Sequence, residues 1–411
     1  MAFEISHADL HKDIDEKPLY HTIERAIKPG YGPAIAPRIV KAVVRRYIFA
    51  MAEASTLNDL HRSNGAVLGE YDGWLLPEHF GDPAAEYHAV RSAVGLIDLP
   101  HRGLLQFTGP DRLPFLQGML SNDLRALAPF DGQYAAILTQ QGKVIADVRV
   151  LCAMNSFYLD FWENLKDKIL AHLNRYLIAD EVEIADRSRE YVILSLQGPK
   201  AMELLLKVAG GEAELPARSK QHAMINVEGA AVCVVCESHT GEAGYDLIAP
   251  RASAPAIAAL LADVGKPFGA AWVGEAAEKI LRVEAGIPRY GVDFSEDNLL
   301  LEVGIDHAFS FTKGCYLGQE VVERIRSRGH INKKLCGFLI DGDQAASRGD
   351  VIEAESKNAG RITSSVVSPR LQRPIAMGYV HRDFWAPGTT VTIGPSQRRA
   401  TVAALPFVRC S

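Results

Sequence analysis

Tyr134-Ala-Ala-Ile-Leu-Thr139, Gln140-Gln-Gly-Lys143 and Val144-Ile-Ala-Asp-Val-Arg-Val-Leu151 read in order as a strand, a turn and a second strand. Two apolar runs joined by a short glycine-bearing link predict an antiparallel hairpin. Upstream, Leu104-Leu-Gln-Phe-Thr-Gly109 reads as a strand closed by a turn at Gly109-Pro110-Asp111, where Asp111 can cap a helix carrying Leu113, Leu116, Met119 and Leu120. Downstream, residues 164–177 read as a helix, Tyr191–Leu196 as a strand, and Ala201-Met-Glu-Leu-Leu-Leu206 as a helix after a Gly-Pro turn. This strand–strand–helix alternation predicts an α+β body rather than a wound parallel sheet.

From Leu335 the texture changes. Leu335-Cys-Gly-Phe-Leu-Ile340, Val366-Val367, Met377-Gly-Tyr-Val380, Thr389-Thr-Val-Thr-Ile393 and Thr401-Val-Ala-Ala-Leu405 are short strands set between Gly, Asp and Pro turns. Regular short strands predict a small β-barrel or sandwich.

At 411 residues the chain is long enough for two or three domains. Its 48% hydrophobic and 23% charged residues are ordinary for a globular protein, and a net charge of −6 implies no general attraction to nucleic acid or to an anionic membrane. No apolar run reaches the roughly 20 residues of a membrane span, and six cysteines are too sparse for a disulfide framework, so the expectation is cytoplasmic. Cys233-Val-Val-Cys236 has metal-like spacing but sits in an apolar run that reads as a buried strand. Neither a GxGxxG turn after a strand nor a Walker A loop is present, which argues against nucleotide phosphates. Residues 1–56 read as an appended, flexible extension. Pro29, Pro33 and Pro37 precede a basic cluster at Lys41, Arg45 and Arg46, while Glu4, Asp9 and Asp13 are unlike an import presequence.

Lys313-Gly314-Cys315-Tyr316-Leu317-Gly318-Gln319-Glu320 precedes a helical pattern over residues 321–328. A thiol at a helix N-terminus beside Lys313 would have a lowered pKa, whereas the bland reading is a small residue in a tight turn. Thr240-Gly-Glu-Ala-Gly-Tyr-Asp246 is a glycine-rich turn displaying two carboxylates. Arg282 and Glu284 close a helix that begins near Val273. Asp147 and Arg149 share one strand face, which allows a simple ion pair. Arg324, Arg326, Arg328, His330, Lys333 and Lys334 crowd one segment that can hold an anionic tail or an acidic partner. No aromatic residues interleave with them, which argues against RNA.

The octapeptide resembles the signature of the YgfZ-like folate-binding proteins, a branch of the glycine-cleavage T-protein (aminomethyltransferase) superfamily. Further pieces follow in the family's order, among them Gly109-Pro-Asp111, Leu120-Ser-Asn-Asp123, Gly142-Lys-Val144, Gln197-Gly-Pro199, Thr240–Asp246, Arg282-Val-Glu-Ala-Gly286 and Leu405-Pro-Phe407. The resemblance implies a T-protein-like folate-binding body with ferredoxin-like units over 57–330 and a C-terminal β-barrel over 331–411. It implies tetrahydrofolate, or a one-carbon derivative, in a central hole. By resemblance, Cys315, Asp147 and Lys313 are candidates for chemistry. Asn122, Glu242, Tyr245, Arg282, Glu284, Gln319, Glu320 and Arg324 are candidates for folate contact, Glu242 on the pterin. The function implied is assistance to iron–sulfur cluster assembly or repair, with iron–sulfur client or assembly proteins as partners. The alternative is an aminomethyltransferase or related folate-dependent one-carbon enzyme. Two departures from the T-protein pattern bear on that alternative. An adjacent aspartate pair is replaced by Ala146-Asp147, and Glu278 stands where T-proteins carry an arginine.

Overall fold

The structure is a computed structural model that describes residues 52–211, 213–329 and 331–409. Most of the expected 1–56 extension, including its basic cluster, lies outside the described residues. The described residues divide into two compact units, one holding 52–55 with 68–76 and the other 56–67 with the described residues from 77 to 409. The first holds most of a three-stranded sheet in the order β1–β3–β2, from Glu53–Ala54 (β1), Val67–Tyr71 (β2) and Trp74–His79 (β3).

Two sheets form the body of the larger unit. One has the order β11–β12–β13–β10–β4–β14. Its strands are Val94–Asp98 (β4), Tyr191–Gln197 (β10), His222–Val227 (β11), Ala230–Cys236 (β12), Gly244–Pro250 (β13) and Ala270–Trp272 (β14). The other has the order β6–β7–β8–β5–β9. It contains Arg102–Thr108 (β5), Gly132–Leu138 (β6), Val144–Cys152 (β7), Phe157–Trp162 (β8) and Glu183–Asp186 (β9). The predicted hairpin is β6 and β7, paired antiparallel. The helices are Asn58–Ser63 (α1), Pro83–Ser92 (α2), Arg112–Met119 (α3), Lys166–Tyr176 (α4), Ala201–Val208 (α5), Ala254–Gly265 (α6), Glu275–Glu284 (α7), Leu300–Val303 (α8) and Gln319–Arg328 (α9). Asp111 does not cap α3 through its side chain; its carboxylate instead accepts from the Glu181 amide at 2.8 Å.

Strand side chains alternate between faces, and that period sorts the body into layers. On β7, Ala146, Val148, Val150 and Cys152 pack with Phe115 and Leu116 of α3 and Ile169 and Leu173 of α4. Burying a side chain such as Val148 fully contributes about 1.5–3 kcal/mol. On β13, Tyr245, Leu247 and Ala249 pack with α5 and α6. The residues of opposite parity turn inward, where Leu104 and Leu151 meet Ile97, Ile193, Val235 and Ile248. The order of layers is helix, sheet, sheet, helix, and the inward parity lines the space between the sheets.

The C-terminal strands close into a barrel in the order β15–β18–β17–β16–β19–β20. They are Lys333–Ile340 (β15), Val351–Ala354 (β16), Lys357–Ser368 (β17), Arg373–His381 (β18), Thr390–Ile393 (β19) and Arg398–Ala403 (β20). Closure leaves no open edge for unwanted pairing. The expected mixed α and β body with a C-terminal barrel is the architecture found. Val283 of α7 packs on Leu335, Val366, Ile375 and Met377 of the barrel. Among the described residues no helix is long and apolar enough to cross a membrane.

Candidate functional site

The inward parity of five neighbouring segments carries charge instead of hydrocarbon. Arg149 on β7 is ion-paired with Asp160 of β8 and Asp246 of β13, and reaches Glu237 at 3.5 Å. Cross-strand register sets Arg149 directly opposite Asp160. Arg102 on β5 also binds Asp160, at 2.7 Å. Lys220 holds Glu237 at 2.8 Å, and His239 Nε2 lies 2.9 Å from Asp246. Asp160 and Asp246 are only 1% exposed. Buried charges of this kind persist only when partners offset their desolvation. Burial works to raise the pKa of Asp246, but His239 and Arg149 outweigh it and hold the carboxyl well below its usual range. Burial opposes the charge on Arg149 too, and Asp160, Asp246 and Glu237 reverse that effect.

Asp147 is the exception in this network. The ion pair with Arg149 expected from their shared face is not formed, because Arg149 is turned to the other carboxylates. The Tyr134 phenol donates to Asp147 Oδ2 at 2.5 Å. Oδ1 is buried with no hydrogen-bond partner among the described residues. Burial raises the Asp147 pKa, against the opposing pull of the Tyr134 hydrogen bond and of Arg102.

An aromatic shelf adjoins these charges. His101 stacks on Trp162 with centroids 5.0 Å apart and planes 10° apart. Arg102 and Arg289 lie over the same indole at 5.0 and 4.6 Å. Burial first, then Arg289 and Arg102, lower the His101 pKa, so the imidazole is neutral. His101 Nδ1 and Trp162 Nε1 are buried without partners among the described residues, as is Asp147 Oδ1. Unmet buried polar atoms beside an aromatic face fit a flat heteroaromatic ligand that both donates and accepts, such as a pterin.

The residues proposed from sequence distribute unevenly around this interior. Asp147 is inside it. Asn122 flanks it, donating to the carbonyls of Tyr134 and His307 at 2.8 and 2.9 Å. Glu242 sits on the β12–β13 turn and pairs with Arg91 of α2 at 2.9 Å. Tyr245 lies on the opposite face of β13, in the core beneath α5 and α6. Glu284 is fully buried and accepts from Arg91 at 2.5 Å, from Tyr87 at 2.8 Å and from Ser368. Arg282 joins body to barrel, bonding Asp293 at 2.6 Å and Ser364 at 2.9 Å.

The octapeptide keeps Cys315 in a turn ahead of a helix, as its sequence suggested, but commits Lys313 to partners outside that turn. Helix α9 begins at Gln319, behind Gly318 in a left-handed conformation, so Cys315 precedes the helix and is exposed. The Lys313 ammonium turns inward and donates to the carbonyls of Gln117, Leu120 and Asn122 at 2.6–2.8 Å, which ties down the end of α3. Burial draws its pKa down to about 8. Gln319 accepts from the Tyr316 amide at 3.2 Å. Glu320 and Arg324 are exposed on α9. His101, Asp160, Trp162 and Glu237 were not singled out in the sequence, and Asp246 was noted only as the second carboxylate of its turn. The available signal was parity: Asp160 on β8 and Asp246 on β13 share the inward register, and Glu237 follows the end of β12.

Comparison with known proteins places this geometry. Residues 57–313 match the family described as GCVT N-terminal domain, and residues 333–409 match the glycine cleavage T-protein C-terminal barrel domain. An aminomethyltransferase of Rubrobacter xylanophilus is 33% identical over 354 residues, 86% of this chain and 93% of the relative. One from Bacillus licheniformis is 31% identical, covering 87% of this chain and 99% of its own. The crystal structure of glycine cleavage system aminomethyltransferase T from Bartonella henselae superposes with a TM-score of 0.79 at 26% identity, covering 87% and 98% of the two chains. These matches correct the expected role in iron–sulfur cluster assembly or repair. Relatives similar over most of the chain are named aminomethyltransferase, so the alternative reading replaces it. The chain belongs to the glycine cleavage T-protein family.

Proposed function

We propose that the chain is an aminomethyltransferase-type one-carbon enzyme that binds tetrahydrofolate, or a one-carbon derivative, between its two sheets. The observation that carries this is Asp147, a buried carboxylate with one oxygen oriented by Tyr134 and the other unmet. Bound folate would supply the nitrogen that receives the one-carbon unit. Asp147 Oδ1 is placed to hold or move a proton at that nitrogen, which is the task of a general base. Tyr134 fixes the carboxylate's orientation. His101 and Trp162 offer a stacking face, and the two sheets exclude water.

The replaced aspartate does not weaken this reading. Adjacent strand residues face opposite ways, and Ala146 points into the fully buried core against α3 and α4. Only position 147 of the pair faces the interior, and it keeps its carboxylate. A cytoplasmic setting belongs to the same proposal, supported by sparse cysteines in a long chain. The test is one-carbon transfer from an aminomethyl-lipoyl carrier protein to tetrahydrofolate. Transfer by the wild type and its loss in Asp147→Asn are expected. A wild type that binds tetrahydrofolate but transfers nothing would overturn the transferase reading.

A further inference from the structure

The same inter-sheet space changes character along the strands. Leu104, Leu151, Tyr158 and Ile248 each stand two residues from Arg102, Arg149, Asp160 and Asp246 on β5, β7, β8 and β13. Two strand residues span about 7 Å. These four side chains wall a cavity of about 460 Å³ next to the charged cluster. That volume lies in the range of small-molecule sites. None of its lining residues is Asp, Glu, Lys or Arg.

The mouth is built from exposed hydrocarbon and sulfur. Phe130, Met154 and Met224 line it and are 42%, 65% and 55% exposed. Large apolar side chains gathered in one exposed place mark contact sites. Phe130 is held there in a left-handed conformation, φ 73°, by bonds between its amide and the Cys152 carbonyl and between its carbonyl and the His222 amide. A bulky residue at positive φ is strained, and such strain persists where surrounding structure enforces it. His222 also lines the cavity. It is 5% exposed, and its Nδ1 is buried without a partner among the described residues. Burial lowers its pKa, so the ring adds no charge near neutral pH.

We propose that this cavity is a second binding site, for an uncharged aromatic small molecule. Phe130, Tyr158 and Tyr191 supply aromatic walls, and Met154 and Met224 supply sulfur contacts, which favour rings. The absence of formal charge in the lining rejects an anion such as a folate tail.

The test is a fluorescence titration of the full chain with N-phenyl-1-naphthylamine, an uncharged aromatic dye that brightens in apolar surroundings. Saturable binding of one dye per chain is expected, undiminished by saturating tetrahydrofolate. Met224→Lys, which sets a charge at an exposed position of the mouth, and Cys233→Phe, which fills the interior, are each expected to weaken binding about tenfold. Should Cys233→Phe fail to fold, Met224→Lys decides alone. No saturable binding, unchanged affinity in Met224→Lys, or displacement by tetrahydrofolate would each overturn the proposal. The readout involves no one-carbon chemistry, so it stands or falls apart from the transfer assay.

Discussion

The Tyr134 phenol and the Asp147 carboxylate share a 2.5 Å hydrogen bond that satisfies one carboxylate oxygen and leaves the other buried and unmet. A structural carboxylate at this depth would be paired, as Asp160 and Asp246 are. A buried group left half-satisfied costs stability, and active sites are where such costs are kept.

Asp147→Asn is therefore expected to abolish transfer while raising stability at pH 7.5 by about 1–3 kcal/mol, because it removes a buried charge and keeps a neutral acceptor for Tyr134. The sign follows from a raised pKa. The folded state binds the proton more tightly than the unfolded chain, so the wild type loses stability as pH rises through the carboxylate range. The advantage of Asn should shrink as pH falls below that range. Urea melts of both proteins at acid and at neutral pH check this, and a destabilised Asp147→Asn at neutral pH would contradict it.

Arg149→Met removes the shared partner of Asp160, Asp246 and Glu237. Stability is expected to fall by about 3–5 kcal/mol, because the change strands buried charge. Arg149→Lys should recover only part, since an ammonium lacks the fork that reaches two carboxylates. Asp246 has the opposite linkage from Asp147. Its lowered pKa contributes stability above the usual carboxylate value, and that contribution is lost as pH falls through the folded value. Acid titration of the melting temperature should show this loss in the wild type and not in Asp246→Asn.

Lys313 and Cys315 lie two residues apart and should behave oppositely. Lys313→Met removes three hydrogen bonds from an ammonium to carbonyls at the end of α3, and a loss of about 3 kcal/mol is expected. Cys315→Ser changes an exposed side chain, so stability should move by less than about 0.5 kcal/mol. One-carbon transfer should survive it. Loss of transfer in Cys315→Ser would restore a chemical role for the thiol.

Arg91 bridges Glu242 at the rim and Glu284 in the core. Arg91→Met is expected to cost about 3 kcal/mol, because Glu284 is fully buried and keeps only hydroxyl partners. Glu242→Gln should cost under about 1 kcal/mol, since Arg91 retains Glu284. Equal losses in the two variants, measured by urea melts, would contradict this division.

The architecture was legible in sequence because hydrophobic period and turn residues act locally. The β6–β7 hairpin and most of the barrel strands from Leu335 onward follow from alternation and Gly, Asp or Pro turns, while β16 went unread and β17 was read only at Val366 and Val367. The interior was less legible. Asp147 drew notice through the resemblance to T-proteins and Asp246 as a carboxylate of the glycine-rich turn, but their common interior with Asp160 and Glu237 is formed only when the strands are set in register. The glycine-rich turn drew attention to Glu242 and Tyr245, while the pleat aims Asp246 inward and Tyr245 into the helical core. In the octapeptide the helix was expected from residue 321 and begins two residues earlier, at Gln319. Gly318 in the left-handed region separates the turn from α9, and the use of Lys313 as a brace depends on α3, about two hundred residues earlier in sequence.

The most direct measurement is a crystal structure of the wild type with tetrahydrofolate. The pterin is expected between the two sheets, with a ring nitrogen within hydrogen-bond distance of Asp147 Oδ1 and the ring beside Trp162. Folate density confined to the Glu242 turn or to the α9 surface, with the inter-sheet interior free of ligand, would contradict it.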